Sequence, residues 1–257
     1  MLVQESIGTA IDAIKVNKLR SILTTLAIII GTAAVIAMVA MGSSAQQALN
    51  DSITDLGART IYVYPSSSRQ GATNTSKVPL DIKDAIALSR DEEIPWQIAP
   101  EIRGSKQVKF KSENASLQIV GSTQDFFSIR GYELDSGISF TENDSLARKR
   151  VVVLGSKVAN ELKTSSRALL NNEIFINNIS FKVIGTIKEE GASWGPNPDE
   201  QIYTPLYTAS DRIFGRETIG SIAINYPVEY ATEEVMIAIE RILRREHDIG
   251  PGENNNF

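Results

Sequence analysis

With one histidine and no cysteine in 257 residues, this chain has few ways to do covalent chemistry. Its histidine, His247, lies near the polar end of the last helical segment, so a histidine metal cluster is excluded, and so are disulfides and cysteine-ligated zinc. The nearest approach to a nucleophile elbow is Gly155-Ser156, directly after the apolar run RVVVL. The full G-x-S-x-G pattern is absent, and Ser156 is read more simply as the N-cap of a following helix through Leu162. A membrane-anchored hydrolase using Ser156 and His247 is kept as the alternative from a different functional class. No G-x-x-x-x-G-K-[ST] loop is present, so no P-loop ATPase resides on this chain.

The acids come as Asp91-Glu92-Glu93 and Glu189-Glu190, in segments that read as loops and leave such side chains solvated. The basic run Arg148-Lys149-Arg150 reads as the lead-in to a strand. No catalytic residue, metal ligand or cofactor site is expected from these patterns. The net charge of −5 carries no basic stripe, which argues against a nucleic-acid partner.

What positions the rest is a stretch without chemistry. Residues 22–41, ILTTLAIIIGTAAVIAMVAM, hold 20 residues with no charge, inside a charge-free run from 21 to 50. As a helix rising about 1.5 Å per residue it spans about 30 Å, the hydrocarbon thickness of a bilayer. Nine Leu, Ile and Val residues contribute about −3 to −5 kcal/mol toward insertion. Ile22, Leu26, Ile30, Gly31, Ala37 and Met41 mark this span. A buried core helix would not be apolar on every face for so long. A cleaved signal peptide, suggested by small residues such as Ala40 and Ser43, would have an apolar region of only about 7–15 residues. An uncleaved transmembrane helix over 21–43 is therefore expected. Lys15, Lys18 and Arg20 precede it and no basic residue follows for 30 positions, which predicts a cytoplasmic N-terminus and an extracytoplasmic main domain. Gly31, Ala33, Ala34, Ala37 and Ala40 form a small-residue surface that lets another helix come close.

Before the span, Leu2, Val3, Ile7, Ala10, Ile11 and Ile14 make one apolar stripe, predicting an interfacial helix in a cytoplasmic segment 1–20. After it, 45–56 reads helical with Gly57 as C-cap, TIYVY (60–64) as a strand, and 65–79 as a loop. Asp81 opens a helix through Leu88. From Ile98 the texture turns to short strands: QVKFK (107–111), LQIV (117–120), RVVVL (150–154), and a hairpin EIFIN/SFKVIGTI across Asn177-Asn178. One helical turn is expected at 125–128, a helix at 207–214, strands at 201–204 and 221–225, and a long helix at 228–246 with Val235, Ile239, Ile242 and Leu243 as its buried seam. LQIVGSTQDFF and VVVLGSKVANEL share a faint strand-Gly-Ser-helix pattern, which chance explains as well as duplication does. The fold class expected is α+β, with residues 44–257 as the extracytoplasmic domain.

The run ESIGTAIDAIKVNKLRSILTTLAIIIGTAAVIAMVAMGSSAQQALNDSITDLGARTIYVYP resembles the opening of MacB-type ABC transporter permeases, with its basic NKLRS junction, first membrane helix and LG-x-x-x-x-x-V-x-P passage. RVVVLGSKVANEL, EIFINNISFKVIGTI and DEQIYTPLYTA follow in the order of segments in that family's periplasmic core domain. The likeness covers nearly the whole chain, densest over the first 65 residues. At KTSSRALLNN the chain departs from the family's Phe-Gly- and Pro-containing link.

The resemblance implies two lobes: a porter-like one from about 58–95 and 218–248, and an inserted strand-rich one from about 98–217. It also implies a permease homodimer in the inner membrane, an ABC ATPase subunit carrying the hydrolysis, a periplasmic adaptor, and transmission of ATP-driven movement to efflux. Family permeases continue into three further membrane helices, so this chain is expected to be a fragment or a split-gene product. An FtsX-type regulatory permease controlling a periplasmic partner, or a membrane-anchored interaction domain, is the alternative within the same architecture.

Overall fold

The computed structural model describes residues 17–54, 58–66, 79–191 and 196–257. The interfacial helix expected over 2–14, Lys15, Gly57 and most of the 65–79 loop lie outside the described residues. The chain divides into two units, Met1–Leu56 and Gly57–Phe257.

In the first unit one uninterrupted helix, α1 (Lys18–Thr54), joins the apolar span to the separate helix expected after it. No Pro interrupts these 37 residues, and nothing in their sequence forces a break between the two segments. Ile22, Leu26, Ile30 and Met41 are half to three-quarters exposed, and Gly31 and Ala37 are exposed as well. The hydroxyls of Thr24, Thr32 and Ser43 donate to the carbonyls of Arg20, Ile28 and Ala40 at 2.9, 2.9 and 3.0 Å. Their polar atoms are thus satisfied within the helix, as an apolar surrounding requires.

The second unit is built on β1 (Ala58–Val63), β2 (Gln97–Phe110), β3 (Glu113–Ser122), β4 (Leu134–Gly137), β5 (Val151–Leu154), β6 (Glu173–Ile176), β7 (Ile179–Ile187), β8 (Gln201–Pro205) and β9 (Ser221–Pro227). The short strands expected from Ile98 onward fuse at their start into the 14-residue β2. Its first half, 97–101, pairs antiparallel with β9, which also carries β1. Its second half, 102–110, pairs with β3. Successive pairings β2-β3-β8-β5-β7-β6 return to β2 and close a six-stranded ring. β4 lies outside that ring on the far part of β7.

Strand alternation sorts the side chains. Val152, Leu154, Ile119, Ile174, Ile176, Phe181, Val183 and Ile202 pack in one cluster of the ring. Val153, Val120 and Tyr203, one residue out of phase, pack instead with Phe126, Phe127 and Phe140. That second cluster is covered by α3 (Asp125–Arg130), whose two phenylalanines sit edge-on to one another. A third cluster joins Ile98, Ile102, Ile222, Ile224 and Tyr226 to α2 (Ile82–Ser89) and α8 (Thr232–Glu246). Val235, Ile239, Ile242 and Leu243 are all buried in it, the seam read from the sequence. Burying each such side chain is worth about 1.5–3 kcal/mol before entropy is charged.

Local signals explain most boundaries. Asp81 accepts from the amides of Lys83 and Asp84 while Asp84 reaches back to the Asp81 amide, a capping box. Asn177 and Asn178 both take positive φ, 46° and 65°, in the two-residue turn between β6 and β7. The last helix begins at Thr232 instead of 228, because Pro227 opens a turn that the Tyr230 amide closes. Residues 206–214 form a short helix, α7 (Leu206–Thr208), that widens into a π turn ended by Gly215. The described residues of the unit also hold three short α-helices, α4 (Glu142–Leu146), α5 (Val158–Glu161) and α6 (Ser166–Leu169), and a 3-10 turn at Pro198–Glu200.

Candidate functional site

Ser156 and His247 are held in separate surroundings. His247 sits in the α2/α8 cluster with both ring nitrogens engaged: Nε2 lies 3.1 Å from Asp84 Oδ1 and Nδ1 2.6 Å from Asn256 Oδ1. Two oxygen atoms beside the ring favour its protonated form, in which both nitrogens donate. Burial opposes that charge, but the bonds to Asn256 and Asp84 outweigh it and raise the His247 pKa above its ordinary value. His247 is engaged by Asp84 and Asn256 while Ser156 lies beside Asp199, so the Ser156–His247 pair has no geometric basis.

Ser156 is also not the helix cap expected. The helix starts at Val158 with Lys157 in the capping position, because the Lys157 amide still donates to Asp199 O at 2.8 Å and prolongs the strand-like run. Gly155 is glycine for a packing reason: a Cβ there would stand 2.4 Å from the Asp199 carbonyl. Asp199 itself is wholly buried. Burial raises its pKa, but the amides of Glu190 and Gly191, the nearby Ser156 hydroxyl and the Lys157 ammonium together hold it below the ordinary value. The Ser156 hydroxyl is near enough to favour that charge without being aligned for a hydrogen bond. This constellation ties a turn together.

Members of the other charged runs are likewise partnered. Asp91 and Glu93 meet Arg241, Glu189 meets Lys157, Arg148 meets Asp211, and Lys149 meets Asp144. Among the described residues no group of three or more His, Asp or Glu side chains is arranged to hold a metal. Ile22, Leu26, Ile30, Gly31, Ala37 and Met41 all lie on α1, and Lys18 and Arg20 in its first turn. Residues 18–43 of α1 form the one helix among the described residues that is long and apolar enough to cross a membrane.

Two features were not singled out from the sequence. The first is Glu101, wholly buried in β2 at the last residue before that strand changes partner. It binds Arg103, two residues along on the same strand face, and Arg130 of α3 at 2.6 Å. The Arg130 guanidinium also lies over the rings of Tyr62 and Phe126, 4.9 and 5.6 Å from their centroids. One carboxylate thereby links β1, β2 and α3. The alternation Glu101-x-Arg103 was the available signal, but no sequence pattern points to Arg130.

The second is a cleft of about 250 Å³ between α2, the start of β2 and α4. Ile82, Ile86, Trp96, Ile98 and Leu206 form its apolar wall, and Asp125 and Glu142 line it as well. The Trp96 indole is fixed by a hydrogen bond to the Leu88 carbonyl at 2.9 Å. Burial, with the Glu142 charge adding to it, raises the Asp125 pKa above the ordinary carboxylate value.

Comparison with known proteins places this arrangement. The sequence profile described as MacB-like periplasmic core domain matches residues 21–242. A macrolide export ATP-binding/permease protein MacB from Bdellovibrio bacteriovorus is 26% identical over 95% of this chain and 38% of its own length. The protein of the same name from Chlorobium luteolum is 29% identical over 96% of this chain and 37% of its own. The chain thus spans little more than a third of the length of these curated relatives. The crystal structure of the periplasmic region of MacB from Actinobacillus actinomycetemcomitans superposes with a TM-score of 0.62 at 22% identity, over 76% of this chain and 87% of that one. That likeness concerns the fold.

Proposed function

The chain belongs to the MacB-like periplasmic core domain family, and on that premise we propose that it supplies a membrane helix and the periplasmic domain of an export-type ABC permease. The observation that carries this reading is the extent of the match: it begins at residue 21, inside the apolar helix, and runs to 242, so helix and domain are matched together. In this reading α1 crosses the inner membrane, Lys15, Lys18 and Arg20 stay in the cytoplasm, and Gly57–Phe257 stands in the periplasm. β1, α2, β9 and α8 form a porter-like lobe and the strand ring an inserted one, with β2 running through both. ATP is hydrolysed on a separate nucleotide-binding subunit or domain. Two permeases pair, and their outer domains move substrate toward a periplasmic adaptor. The relatives' names make macrolides the first substrate class to try.

Because the chain has no cysteine, orientation is directly testable with single introduced thiols. In intact cells a membrane-impermeant maleimide labels Ser139→Cys and spares Asn17→Cys; the reverse pattern overturns the topology. Function is tested by expressing the chain with and without the membrane helices of a family permease. An ATPase subunit co-purifies only with the completed permease. Co-purification with this chain alone, or none with the completed form, overturns the permease reading.

A further inference from the structure

We propose that the cleft between α2, β2 and α4 binds a small organic cation with an apolar body. The inference stands on the cleft itself and does not depend on the transport reading. Its wall of Ile82, Ile86, Trp96 and Leu206 suits a hydrocarbon or aromatic body, and about 250 Å³ is space for a group of one ring. Asp125 and Glu142 supply negative charge at the same cleft, and among the described residues neither has an ion-pair partner. Arg148, which lies over the Tyr207 ring of the cleft, is paired with Asp211 instead.

Both acids stand in the first turns of short helices, where a carboxylate also favours the helix dipole. That accounts for each acid separately, not for their convergence on one apolar cleft. The Gln124 side chain accepts from the Glu142 amide at 3.1 Å and ties the two helix starts together. Two carboxylates held near each other, one of them half-buried, repel. A cation seated between them relieves that repulsion while its body removes apolar surface from water. The fixed indole adds an aromatic surface of the kind that attracts alkylammonium groups.

The test uses the full chain in lipid nanodiscs carrying Trp194→Phe, which leaves Trp96 as the sole tryptophan reporter. Benzyltrimethylammonium is titrated, with empty nanodiscs subtracted, and benzyl alcohol serves as the neutral comparison. The expected result is saturable quenching or shift of Trp96 emission with Kd on the order of millimolar, as suits a ligand of this size. The Asp125→Asn/Glu142→Gln double variant binds about tenfold more weakly. Leu146→Arg, at an exposed lining position, places a competing cation in the cleft and abolishes binding, whereas Leu146→Ala retains it. Equal affinity for benzyl alcohol, unchanged affinity in the double variant, or no saturable signal in the parent chain overturns the proposal.

Discussion

Glu101 and Asp125 are both acids withdrawn from water in the strand-rich unit, and they are treated in opposite ways. Glu101 is wholly buried and held by two arginines, one beside it on β2 and one from α3. Asp125 is half-buried, faces an apolar cleft, and has another carboxylate for a neighbour. A buried charge with a full set of partners fixes structure, because losing any partner leaves the rest stranded. A partly buried charge with a like neighbour stores unfavourable energy that a ligand can release. The contrast separates a structural joint from a binding cleft.

The sharpest way to break this comparison is Glu101→Ala. It leaves Arg103 and Arg130 facing each other without their counter-ion, and Arg130 Nε already lacks a hydrogen-bond partner. Loss of about 3–5 kcal/mol is expected from breaking a buried pair on one side, read as a lowered denaturation midpoint of the purified chain. A loss below about 1 kcal/mol, the range of exposed pairs, would show that the arginines are simply resolvated and that Glu101 is no joint.

A backbone change calibrates that figure against a defect involving no charge. Asn178 holds φ at 65° in the β6–β7 turn, and Asn178→Val puts a β-branched side chain there at a strain of about 1–3 kcal/mol. The same denaturation experiment should rank it below Glu101→Ala. This turn also shows what sequence can reveal. Asn177-Asn178, Asp81 as the opening of a helix and the 3.6-period seam of α8 were legible because each signal acts within a few residues. The 14-residue β2 was not, since it contains Pro100 and Gly104, residue types that weaken a strand signal. Pro100 sits where the strand passes from β9 to β3, and Gly104 leaves room for the Phe214 ring, which a Cβ there would approach to 2.8 Å. Both reasons lie in distant segments. The candidate site was hidden for the same cause, because Asp125 and Glu142 are 17 positions apart and meet through the packing of separate helices.

A third acid sharpens the comparison through its titratable partner. Asp84 is buried against His247, whose pKa is raised despite burial by its bonds to Asn256 and Asp84. A raised histidine contributes stability that is complete below its unfolded value of about 6.5 and is lost as pH rises through the folded value. Melting of the parent chain and of His247→Gln should therefore differ most near about pH 6 and converge toward alkaline pH. A pH-independent difference would assign His247 a packing role only.

The smallest effect has the opposite sign, and it decides whether Asp125 belongs in the contrast. With its pKa raised, Asp125 is protonated more readily in the folded chain than in the unfolded one. Its contribution therefore falls as pH climbs from the unfolded carboxylate value, about 3.9, through the folded one, and near neutral pH the charge opposes folding. Asp125→Asn keeps the shape and removes that charge. Since the side chain is partly open to water, screening limits the gain, and a rise of about 1 °C in melting temperature at pH 7 is expected. The gain should shrink as pH falls through the folded value and vanish below about 3.9, where the carboxyl is protonated in folded and unfolded chains alike. A variant that melts several degrees lower at pH 7 would mean that Asp125, like Glu101, holds the fold together, and its negative charge would then be committed to structure instead of being open to a ligand.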